Sequence, residues 1–146
     1  FKDGARIPEK YTADGPDISP PLQVEEIPPK AASLALIMDD PDAPMGTFTH
    51  WLIWNIPPKL SRIPEGVPTD PEVKSLGGAR QGINDFGRLG YGGPSPPPGK
   101  PHRYMFRVFA LDRTLRLSSG ASREELEEAM EGHVLAEALL TGTYGR

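Results

Sequence analysis

The stretch SLALIMDDPDAPMGTFTHWLIWNIP, Ser33 to Pro57, decides the fold. Its two apolar runs, Ser33–Met38 and Trp51–Ile56, have the length of buried strands. The second is rich in aromatic and β-branched residues, which suits a central strand. Between them stands Asp39-Asp40-Pro41-Asp42-Ala43-Pro44, a run of turn formers that cannot continue a ladder. Pro57-Pro58 ends the second run. Outward from this pair, Tyr104–Leu111 forms a third apolar run with Arg107 as its only charge. Three strong strands separated by turn-rich segments predict a mostly antiparallel β architecture within one domain spanning 1–146.

Bulk composition agrees. Gly 16 and Pro 18 make up more than a fifth of the 146 residues, which favours many turns over a helical bundle. Residues 87–101, GRLGYGGPSPPPGKP, concentrate both types. The net charge of −4 offers no basic footprint for nucleic acid. The absence of cysteine removes disulfides and thiolate chemistry. No apolar run approaches the roughly 18 residues of a membrane span.

One helical region is expected near the end of the sequence. Ser122-Arg123-Glu124-Glu125 is a capping box, with Ser122 as N-cap and Glu125 at N3. Leu126, Met130 and Val134 recur every four residues, the spacing of one helix face. Gly132 would split the segment into two short helices, and Gly142 would stop the second.

The groups able to do chemistry cluster near strand ends. His50 and His102 each begin a strong strand, and Asp40 and Asp42 lie just past the end of another. His102 and Tyr104 are two apart, so in a strand they share a face. An imidazole, a phenol and a second imidazole from His50 would converge as hydrogen-bond donors on a phosphate or carboxylate. Gly92-Gly93 could bring backbone N–H groups close to the same anion. Asp40 and Asp42 would repel it, unless one orients a histidine or meets an ammonium on the ligand. Taken one at a time, each histidine also fits ordinary structural hydrogen bonding, and the Asp-Pro segment fits a rigid turn.

Two long segments carry a resemblance. DDPDAPMGTFTHWLIWNIP, from Asp39 to Pro57, and GPSPPPGKPHRYMFRVFALD, from Gly93 to Asp112, resemble in order the two signature regions of the phosphatidylethanolamine-binding protein family. The first 22 residues, NDFGRLGYGGP and the final EGHVLAEALLTGTYGR resemble its bacterial and archaeal branch, the Raf kinase inhibitor-like proteins. The resemblance implies an antiparallel β-sandwich of Greek-key type with short C-terminal helices. It implies a shallow anion pocket built from Asp40, Asp42, Pro44, His50, His102 and Tyr104, with Gly92, Gly93 and Pro94 closing over the ligand. It also implies a cis Ala43–Pro44 bond. The sequence departs from the family in three places. The spacer between Pro44 and His50 is five residues, Ser95 stands where many bacterial relatives carry cysteine, and no helix is evident after Gly145.

The expected function is a non-catalytic binding or regulatory protein without cofactor or metal. Its ligand would be a phospholipid head group or a nucleotide, and a kinase or serine protease could be its protein target. Homodimers and a cytoplasmic setting are expected from the same branch. Two alternatives stand beside this. The Asp/His cluster could serve a metal-dependent or acid–base hydrolase, although no HExxH-like spacing or paired nucleophile and base occurs. The proline-rich stretch 57–71 could act as a protease-inhibiting loop.

Overall fold

Strand follows strand from Leu22 to Tyr144, with one α-helix before the last. In the computed structural model, which describes residues 1–146, the strands are β1 Leu22–Gln23, β2 Ser33–Asp40, β3 Phe48–Ile56, β4 Arg62–Ile63, β5 Glu72–Val73, β6 Ala79–Gln81, β7 His102–Leu111 and β8 Val134–Tyr144. Helix α1 spans Arg123–Met130. Six strands form one antiparallel sheet in the order β5-β6-β3-β2-β7-β8, while β1 and β4 pair separately.

The apolar runs read as strands because both faces of the large sheet are covered. Leu34, Leu36 and Met38 of β2 join Trp51 and Ile53 of β3 in one buried cluster. Leu22 of β1 and Ile63 of β4 belong to the same cluster, so the small sheet and the N-terminal loops cover that face. Ala35 and Ile37, with Leu52 and Trp54, point the other way and meet Leu115, Leu126 and Met130. A strand buried on both sides loses polar alternation and becomes nearly continuous in apolar residues. The layers are therefore unequal: a six-stranded sheet, a two-stranded sheet with loops on one face, and a helix on the other.

Helix α1 begins as its capping box dictates. The Glu125 N–H donates to Ser122 Oγ at 3.2 Å, and the Ser122 N–H donates to Glu125 Oε1 at 3.0 Å. Leu126 and Met130 are its buried residues, each worth about 1.5–3 kcal/mol of transfer energy.

The expected second helix does not form. Val134–Tyr144 is instead an eleven-residue strand that pairs with β7 from His102 to Leu111. Leu, Ala and Glu favour helix locally, but only by tenths of a kcal/mol per residue. Satisfying the unpaired edge of β7 outweighs that preference. Gly132, at φ +81°, makes the turn into the strand. Gly142 is no helix stop; it is buried, and a Cβ there would meet Ile7 at 2.5 Å.

Candidate functional site

Three neighbouring strands deliver the site at one end of the sheet. β2 ends at Asp40, β3 brings His50, and β7 begins with His102 and Tyr104. Simple alternation would place His50 with Leu52 and Trp54, on the α1 face. A bulge prevents this. Met38 pairs with Trp51 but Asp39 pairs with Thr49, so His50 is the extra residue on β3. A bulge re-aims the side chain it carries. His50 thus turns to the face that holds Asp40 and Tyr104, its ring centroid 5.3 Å from that of Tyr104.

The hollow here has a volume of about 130 Å³. Asp40, His50 and Tyr104 are its most buried lining groups, each at most 3% exposed. His102 stands beside them, stacked on Tyr104 at 6.4 Å between centroids. Phe86 packs edge-on against both Phe48 and the His50 ring, and Phe48 lies tilted against the same ring. Ala43, Pro44, Ser95, Pro96 and Pro97 complete the lining. A cavity of about 420 Å³ lies between β1 and the β7–β8 pair, but Glu25 is its only titratable lining side chain.

Hydrogen bonds fix the polar groups. His102 Nδ1 and Asp40 Oδ2 lie 2.7 Å apart, and the Asp42 N–H donates to Asp40 Oδ1 at 2.8 Å. Both oxygens of Asp40 are thus engaged, and one orients a histidine. His50 Nδ1 donates to the Gly92 carbonyl at 2.6 Å. Burial pushes the His50 imidazole below the ordinary histidine range, against the opposing pull of the Gly92 carbonyl and of Asp40. Burial, then the Asp40 charge, raises the Tyr104 phenol above its ordinary value.

The structure brings together Asp40, Pro44, His50, His102 and Tyr104 and separates the rest of the expected set. Asp42 turns outward to Arg103, which donates from Nε at 2.9 Å, from Nη2 at 2.8 Å and from its backbone N–H at 2.9 Å. The pair holds the Asp42 carboxyl at about 2, well below its usual range. Asp42 is therefore committed to a guanidinium and does not line the hollow.

Gly92 and Gly93 do not present N–H groups to a ligand. The Gly92 N–H donates to the His50 carbonyl at 3.0 Å, and the Gly93 N–H donates to Asp17 Oδ1 at 2.8 Å. The two glycines are needed for close packing instead. A Cβ on Gly92 would strike Phe86, and one on Gly93 would strike the Tyr11 carbonyl and the Asp17 carboxylate. Pro94 is buried outside the lining; its carbonyl accepts the Ala13 N–H. The Ala43–Pro44 bond is trans, correcting the cis expectation. Pro44 sits in a turn that the Gly46 N–H closes onto the Ala43 carbonyl at 3.1 Å, and the five-residue spacer returns to β3 through it.

Several supporting residues were absent from the sequence reading. Arg146 donates to the Pro96 carbonyl at 2.9 Å and grips Asp14, bracing the proline loop from outside. Asn84 ties its own turn together through Gly90, Phe86 and Arg88, which seats Phe86. These contacts join residues far apart in sequence or use side chains with no recognisable spacing.

Fold and site define a class: a β-rich domain with a small histidine- and aspartate-lined hollow at the end of its sheet. The family model described as phosphatidylethanolamine-binding protein matches residues 1–145, and the chain belongs to that family, in its bacterial and archaeal branch. UPF0098 protein PH1269 of Pyrococcus horikoshii is 56% identical over all of this chain and 74% of its own length. A UPF0098 protein of Methanothermobacter thermautotrophicus is 55% identical over all of this chain and 95% of its own. The crystal structure of a PEBP homolog, CT736 of Chlamydia trachomatis, superimposes with a TM-score of 0.90 at 41% identity, covering 100% of this chain and 93% of that one. E. coli YbcL, described as a member of the mammalian PEBP family, gives 0.91 at 32% identity, covering 100% and 94%. No helix is long and apolar enough to cross a membrane.

Proposed function

We propose that the chain is a non-catalytic binding protein whose hollow takes a phosphate-bearing group. One observation carries this reading: two imidazoles, the Tyr104 phenol and the Ser95 hydroxyl line a single hollow of about 130 Å³. That volume suits one phosphoryl group and leaves the organic part of a ligand outside, against Phe86 and the prolines. The non-catalytic side of the proposal draws on the same geometry. Ser95 Oγ has Arg146 as its neighbour at 3.4 Å and no imidazole as a base. No three His, Asp or Glu side chains are arranged to hold a metal ion.

The source of the phosphoryl group, a lipid head group or a nucleotide, decides the biological role. Titration with inorganic phosphate, phosphorylethanolamine and a nucleoside monophosphate separates the cases. Binding of all three fits a general phosphoryl hollow. Preference for phosphorylethanolamine would favour the lipid source, and no binding of any would end the proposal. Inhibition of a kinase or protease belongs to the same reading as a consequence of a protein partner. In the stretch 57–71, Ile63 and Val67 are buried and anchor the segment, with the Val67 N–H held by Ser19 Oγ at 2.9 Å, while Pro64, Pro68 and Pro71 are exposed; inhibition assays on trypsin-like and chymotrypsin-like proteases test it as an inhibitory loop.

A further inference from the structure

The charge inventory of the hollow sets a condition on what can enter it. Its lining contains one carboxylate, Asp40, and no lysine or arginine. The guanidiniums nearby are committed elsewhere, Arg103 to Asp42 and Arg146 to Asp14. With neutral imidazoles the lining itself carries a net negative charge, and the Arg146 cation that acts on Tyr104 from outside is paired to Asp14.

The tautomer of His50 sharpens the problem. Its Nδ1 must carry a hydrogen, because the atom 2.6 Å away is the Gly92 carbonyl, which only accepts. In the neutral ring Nε2 is then a lone pair. Nε2 has no protein partner, yet no buried polar atom is left unpartnered, so Nε2 opens into the hollow. His50 is 3% exposed, so water cannot easily surround that nitrogen. A fully deprotonated oxyanion would place an oxygen lone pair against the Nε2 lone pair.

We infer that the hollow binds a phosphate-type oxyanion together with one proton, held between His50 Nε2 and a ligand oxygen. This rests on the phosphoryl-binding reading above and specifies the form of ligand that it admits. A phosphomonoester has its second pKa at about 6, so near neutral pH the proton is available from either side. It arrives on the ligand monoanion, whose O–H donates to Nε2, or solvent supplies it to the imidazole, whose Nε2–H then donates to the dianion. Proton count and charge are the same in both descriptions. Asp40 from β2 and His102 and Tyr104 from β7 face His50. Asp85 from the 84–88 turn and Asp17 beside Gly93 add further negative charge nearby. All three carboxylates favour a proton at His50 once a ligand is present, and none substitutes for it.

The test is calorimetric titration with phenyl phosphate in two buffers of different ionisation enthalpy. At about pH 7.5 the enthalpy difference should report uptake of roughly one proton per ligand, falling toward zero near pH 5, where the free ligand already carries it. Binding at about pH 7.5 with no proton uptake overturns the inference while leaving phosphoryl binding intact. No binding at any pH from about 5 to 8 ends both. His50→Asn should cut the uptake to less than half. If that variant does not fold, side-chain nitrogen NMR of the wild-type protein decides. Phenyl phosphate should shift the His50 Nε2 signal off its free lone-pair position, part-way where the ligand O–H donates to it and fully to the protonated position where the imidazole holds the proton; a signal that does not move in the saturated complex overturns the inference.

Discussion

His50 and Gly92 hold each other through two hydrogen bonds, imidazole Nδ1 to the Gly92 carbonyl at 2.6 Å and Gly92 N–H back to the His50 carbonyl at 3.0 Å. The bulge on β3 and the Gly/Pro loop are therefore one unit, and the ring that faces the ligand also fastens the loop. His50→Ala should weaken phosphate binding at least tenfold and lower unfolding stability by about 2–3 kcal/mol, because it leaves a buried carbonyl unpaired and a void beside Phe86. Urea unfolding with phosphate titration checks both effects. Loss of binding without loss of stability would contradict the fastening role.

His102 differs in its support. Its Nδ1 rests on Asp40 Oδ2, and its side chain is 12% exposed, so water can replace it. His102→Ala should cost roughly 1 kcal/mol of stability while weakening phosphate binding about as much as His50→Ala. Asp40→Asn keeps the shape and removes the charge that repels an anion. If Asp40 matters chiefly as orienter of His102, binding still falls; a gain in affinity would show that its charge is the larger effect.

Much of this was legible in the sequence, for identifiable reasons. Strands buried on both faces produce unbroken apolar runs, so β2 and β3 stand out without neighbours to compare, and the long apolar and aromatic run of β7 stands out although its burial is only partial. The capping box of α1 is a local device and reads locally. β8 does not show as a strand locally because its partner, β7, lies more than twenty residues earlier, while Leu126, Met130 and Val134 keep a helical spacing across the break. Site membership followed the same division. His102 and Tyr104 share a face by simple alternation, but the aim of His50 depends on one extra residue in its strand. The commitment of Asp42 to Arg103 crosses 61 positions and leaves no pattern in either segment.

Acid should act on the fold in two separate windows. His50 has its folded pKa lowered by burial from an unfolded value of about 6.5. Between these values the unfolded chain binds more protons, so stability falls as pH drops from about 6.5 through the lower folded value. Asp42 has a folded value of about 2 against about 3.9 unfolded, so its contribution is present above about 3.9 and is lost as pH falls toward 2. Thermal unfolding across pH should show both declines. His50→Asn should flatten the first and Asp42→Asn the second, each leaving the other unchanged.

On the opposite face of β2, Asp39 is fully buried between two arginines. Arg107 Nε and Arg123 Nη1 each lie 2.9 Å from Asp39 Oδ2, and Arg123 also reaches Thr49 Oγ1 at 3.2 Å. The arginines keep 35% and 27% of their side-chain surface in water, whereas Asp39 keeps none. This asymmetry predicts unequal costs. Asp39→Asn abolishes the only buried anion facing both guanidiniums and should destabilise by about 3 kcal/mol. Arg123→Met leaves Arg107 to neutralise Asp39 and removes a group that was already partly hydrated, so it should cost about 1 kcal/mol. Because Asp39 and Asp40 are adjacent but face opposite ways, phosphate affinity should not change in Arg123→Met. Urea midpoints together with phosphate titration measure the two quantities independently. Equal destabilisation by both substitutions would show that Asp39 depends on both arginines at once.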